Sequence, residues 1–90
     1  MSSRQSNSQP GEFLPGIILP PAIHGLLRKR LSELDLCDTA VNCIILQART
    51  ESLVEALEIL HAIPTPDVER LYVLIDNMTQ DRLAVISGTG

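Results

Sequence analysis

The sequence predicts an all-α domain: a small four-helix bundle behind a disordered N-terminal tail, with an α+β arrangement as the fallback. Three observations carry that expectation. Aliphatic residues recur at helical spacing from residue 21 onward. Prolines and capping residues punctuate those stripes. Residues 1–12 are almost entirely Ser, Gln, Asn, Pro and Gly, and offer too little apolar surface to repay ordering.

The division that follows is a flexible tail and apolar arm over residues 1–20 and one helical domain over 21–90. Residues 13–21 (FLPGIILPP) are apolar but interrupted by Pro and Gly, so they read as an extended arm. Such an arm lies across either its own core or a partner, and Phe13, Leu14, Ile17 and Ile18 are its candidate anchors. A first helix is expected over 21–36, because Pro21 suits the first turn and Ile23, Leu27, Leu31 and Leu34 make one stripe. Asp38 is the expected N-cap of a second helix over 38–49, with Val41, Ile44, Ile45 and Ala48 as its core side.

At about 100° per residue, the apolar centre of residues 41–48 does not continue into 53–60. One straight helix through both would need two burial faces. A break with Thr50 as N-cap is the simpler expectation, giving a third helix over 51–63 with Leu53, Ala56, Leu57 and Leu60 on one side and Glu51, Glu55 and Glu58 on the other. Thr65 as N-cap and Pro66 at N1 open a fourth over 66–86, with Val68, Leu71, Leu74, Ile75, Met78 and Val85 inward and Arg82 intruding on that stripe. The fallback turns 41–46, 71–75 and 83–86 into strands.

Composition narrows function further. The 90 residues carry a net charge of -4, 44% hydrophobic residues and only 2% aromatics, so a core must be built from 14 Leu, 9 Ile, 5 Val and 6 Ala. So few rings provide no base-stacking platform, and the acidic balance disfavours a general nucleic-acid surface. So small a domain buries only about 60–65% of its unfolded surface. An aliphatic excess therefore points to a protein partner or a homo-oligomer. No run reaches the ~20 apolar residues that span a bilayer. Cys37 and Cys43, six apart and without a CxxC pattern, read as buried thiols of a reducing, cytoplasmic protein.

Signals for chemistry are sparse. His24 and His61 have no local acid or nucleophile beside them, and no metal site is assigned because the ligand spacing is absent. Glu51-Ser52-Leu53 at an expected helix start, in a small acidic helical chain, resembles the acyl carrier proteins. That family attaches phosphopantetheine to a serine in an Asp-Ser-Leu motif at the start of its second helix. The resemblance covers three residues. Glu51 stands in place of the aspartate, and Arg49-Thr50 in place of a glycine-containing approach, so Ser52 is read as a helix N-terminal residue and no cofactor is assigned.

Arg28-Lys29-Arg30 fan over roughly 200° of a helix and make no single basic stripe. Arg28 and Arg30 are instead candidates for meeting an acidic neighbour. Residues 1–49 hold five basic and four acidic groups, net +1; residues 50–90 hold two and seven, net -5. The expectation is a non-enzymatic protein-interaction module: an adaptor, chaperone or regulatory inhibitor. A DNA-binding regulator is the alternative, and a small enzyme or carrier comes third.

Overall fold

The computed structural model describes residues 11–88. The expected mobile tail therefore lies, for its first ten residues, outside the described residues. The fold is three helices with a short antiparallel β-hairpin, not the four-helix bundle the sequence predicts. Its elements are β1 (Glu12–Leu14), β2 (Ile17–Ile18), α1 (Pro21–Leu36), α2 (Ala40–Ile59) and α3 (Thr65–Ile86).

The expected extended arm is this hairpin. Glu12 pairs with Ile18 and Leu14 with Ile17, across a turn made by Pro15 and Gly16. Pro followed by a residue with positive φ is the sequence of a type II turn, and Gly16 sits at φ +84°. The Gly16 N–H donates to the Glu12 carboxylate at 2.9 Å, closing the loop. Phe13, Ile17 and Leu19 are buried together with residues of all three helices.

Helix α1 keeps the expected stripe. Pro at its first positions needs no N–H there. Leu27, Leu31 and Leu34 are buried and Ile23 is half-buried. The helix stops at Cys37, whose backbone is extended.

One helix, α2, replaces two expected helices. Its N-cap is Thr39 rather than Asp38: the Thr39 hydroxyl accepts the Asn42 N–H at 3.1 Å. Thr50 caps nothing. It is fully buried in mid-helix, and its hydroxyl donates to the Leu46 carbonyl four residues back, at 2.7 Å. Residues 40–59 contain no Gly or Pro, so nothing in the backbone demands a break. The inward side of α2 is Cys43, Thr50, Val54 and Leu57. The helix ends in a Schellman turn, with Ala62 N–H on the Leu57 carbonyl and His61 N–H on that of Glu58. His61 takes the left-handed position of that turn at φ +53°, where glycine is usual.

Helix α3 begins one residue early. Pro64 occupies the cap position and Thr65 is the first helical residue, while Asp67 faces the positive end of the helix. The helix is continuous to Ile86, which removes the strands of the fallback. Val68, Leu71, Ile75 and Thr79 are buried, but Val85, expected inside, is exposed. Arg82 leaves the stripe by reaching out, with Nε donating to the Cys37 carbonyl at 2.6 Å. The α2–α3 packing is the most extensive between elements.

The two cysteines are buried as expected but are not free thiols. Cys37, at the end of α1, is joined to Cys43, in the first turn of α2, by a disulfide. The bond staples the α1–α2 corner. Thr50 and Thr79 are the only buried polar side chains among the described residues, and each is satisfied by a carbonyl one turn back.

Candidate functional site

The structure distributes the sequence candidates very unevenly. Phe13 and Ile17 are fully buried in the chain's own core. Phe13 is held on two sides. The Arg28 guanidinium lies 4.3 Å from its ring centroid, and the His24 ring meets it edge-on at 5.2 Å. Arg28 Nη2 also donates to the Phe13 carbonyl at 2.8 Å, so this arginine is a clamp within the chain. Arg30 pairs with Glu33 at 3.0 Å on the same helix. Leu14 is half-buried, and Ile18 is the one candidate anchor of the arm that is exposed. Arg28 and Arg30 thus make their contacts within the chain, while Lys29 between them is exposed.

The remaining chemical candidates do not converge. Ser52 lies in the middle of α2, where its hydroxyl donates to the Ala48 carbonyl at 2.9 Å; it does not open a helix, which removes the structural basis of the carrier-protein resemblance. His61 is spent on a turn and His24 on Phe13. Among the described residues, no three His, Cys, Asp or Glu side chains come together as a metal site.

What the structure does gather is an apolar face. Val41, Ile44 and Ile45 are 68%, 57% and 46% exposed, on one side of the first two turns of α2. Ala48, one turn further, is exposed too, and Leu36 is exposed just across the disulfide-stapled corner. These α2 residues were the expected core side of the second helix. Because the helix continues through Thr50, α2 has the two apolar faces that such continuity demands, and among the described residues only one is buried.

Down the same helix the surface turns acidic. Glu51, Glu55 and Glu58 follow at intervals of four and three residues, so they share one side of α2. Among the described residues none of the three has an ion-pair partner. Glu51 and Glu55 line a shallow depression together with Ala48, Ser52 and Tyr72. Partial burial raises the Tyr72 phenol pKa above its ordinary value, and the charges of Glu58, Glu55 and Glu51 add to that shift.

The sequence held the signal for this surface in the rotation of the apolar centre near residue 50. That rotation predicts a helix break, but α2 continues through it. No family, no characterised protein and no solved structure matches the chain. No helix among the described residues is long and apolar enough to cross a membrane.

Proposed function

We propose that the chain is a small non-enzymatic protein-interaction domain that docks through the outward face of α2 between Val41 and Ala48. The observation that carries this reading is the run of exposed Val41, Ile44 and Ile45 on a helix segment, residues 40–48, that contains no charged residue. Exposed aliphatic residues scattered singly are ordinary, but a contiguous group marks an interaction site. Covering these three side chains contributes on the order of 4 kcal/mol, before the cost of association. That is a millimolar term on its own, so contacts around the face must add to it.

The fold supports a rigid presentation. The disulfide and the Arg82 contact both fix the corner from which the face begins. The Cys37–Cys43 bond also supports a working environment that keeps disulfides closed, in place of the reducing cytoplasm that free thiols would suit.

The test is site-specific photo-crosslinking in the native host. A crosslinking residue at Val41 should yield a discrete adduct that Ile45→Lys abolishes, whereas one at Asp76, on the polar side of α3, should not. Equal capture from both positions, or none from Val41, overturns the reading.

A further inference from the structure

We infer that the occupant of the α2 face is a basic amphipathic helix of another protein, with its apolar stripe on Val41–Ala48 and its Lys or Arg residues beside Glu51, Glu55 and Glu58. The inference rests on the docking reading above and adds the chemistry of the partner.

Shape comes first. Val41, Ile45, Ala48, Ser52, Glu55 and Ile59 are spaced 4, 3, 4, 3 and 4 residues apart, the spacing of a seam that a second helix follows. All six are exposed. Small Ala48 and Ser52 in the middle of the seam permit close approach of a helix backbone, and Ile44 widens the apolar end. A 20-residue helix is about 30 Å long, so the whole seam offers a long, narrow footprint rather than a cup.

Charge decides the rest. The seam is uncharged from Ala40 to Ala48; beyond it Glu55 in the seam and Glu51 and Glu58 along one edge have no ion-pair partner among the described residues and outnumber the one cation, Arg49, on the other edge. A partner complementary along the whole seam is apolar at one end and cationic at the other.

A second copy of this chain is a poor supplier of that charge. Of the six described cations, Arg28, Arg70 and Arg82 hold the carbonyls of Phe13, Pro15 and Cys37, and Arg30 pairs with Glu33, which leaves only Lys29, away on α1, and Arg49 on α2 itself. Self-pairing of α2 also brings acids together in the three registers that align the seam. Parallel pairing sets Glu55 against its own copy. Antiparallel pairing centred between Ala48 and Ser52 brings the two copies of Glu51 side by side. Sliding the helices until the apolar halves overlap, with Ile45 opposite Ala48, carries Glu55 towards Asp38 of the copy. Like charges so placed are destabilising.

The experiment uses the full oxidised chain and two synthetic 20-residue helical peptides. Both carry the same leucine stripe; one bears lysines flanking its last two turns and the other bears glutamates there. Fluorescence anisotropy should show the lysine peptide binding at least about tenfold more tightly at low salt, the combined effect expected of three charge pairs at a partly exposed rim. The preference should vanish in the Glu51→Gln/Glu55→Gln/Glu58→Gln variant. Ile45→Lys, at an exposed helix position, should abolish binding of both peptides while circular dichroism stays unchanged.

Equal affinity for the two peptides overturns the basic partner and leaves the docking face standing. So does a dimer in light scattering that Ile45→Lys dissociates, because the occupant is then a second copy. Failure of both peptides to bind a chain that is also monomeric overturns the docking face along with the partner.

Discussion

The hairpin and the outward face of α2 contain the same kinds of aliphatic residue, and the fold treats them in opposite ways. At the hairpin, two arginines clamp the segment that carries buried Phe13 and Ile17. Arg28 covers Phe13 and binds its carbonyl, and Arg70, on α3, reaches the Pro15 carbonyl at 2.8 Å across 55 residues of chain. On α2, Val41, Ile44 and Ile45 stay exposed among the described residues. Two structural demands explain the contrast. A hairpin of five strand residues has no stability of its own and must be pinned to the helices. Helix α2 satisfies its own backbone and is already anchored by Cys43, Thr50, Val54 and Leu57, so its other side is free to remain open.

The sharpest way to break this comparison is to truncate one member of each pair. Phe13→Ala should cost about 3–5 kcal/mol in denaturant unfolding, because it empties a fully buried site against Arg28 and His24. A cost near that of a surface residue would mean that the hairpin is a loose appendage. Next in size is the staple. Replacing both cysteines by alanine should lower stability by about 2 kcal/mol, the loop-closure value for a bridge of sequence separation 6. The same variant should dock more weakly if the corner orients the α2 face; unchanged peptide affinity would separate the staple from the surface.

His61→Gly works in the other direction. It relieves a side chain held at φ +53° and should raise stability by about 1 kcal/mol, seen as a higher unfolding midpoint at unchanged denaturant slope. The smallest stability effect is expected on the open face itself: Ile45→Lys should change unfolding free energy by less than about 0.5 kcal/mol. A large loss there would show that the residue supports the fold and would erase the distinction between the two regions.

A last measurement sharpens the electrostatics without touching stability. Tyr72 is the single tyrosine, so its phenolate absorbance titrates cleanly. Neutralising Glu51, Glu55 and Glu58 should move its pKa down towards 10.0, and the part of the shift due to burial should remain. For the intact chain the sign is fixed. The raised folded pKa means the unfolded phenol loses its proton first, so this group's contribution is fully present below pH 10.0 and is lost as pH rises through the folded value.

Local signals were legible wherever they act within about a turn of helix. The stripe Leu27, Leu31, Leu34 and the proline starts at residues 21 and 66 were readable because spacing and missing N–H groups act on the chain segment that carries them. Thr50 was misread for the same reason. A threonine before a glutamate is a good cap in isolation, and nothing nearby reveals that its hydroxyl will bond backwards to Leu46 inside a core. The open face of α2 was visible as a second apolar direction, but not its exposure.

By itself the sequence determined where helices can start, which faces of each are apolar, and that no set of catalytic side chains lies at a recognisable spacing. Tertiary structure decided which of the two apolar faces of α2 turns inward, that the arm folds back as a hairpin, and that Cys37 and Cys43 meet. The physical reason is range. Helix starts and apolar stripes depend on neighbours a few residues away. The choice of face depends on groups brought from far along the chain, such as Arg82 on the Cys37 carbonyl, 45 residues apart, and α3 packed along the Cys43–Leu57 side of α2.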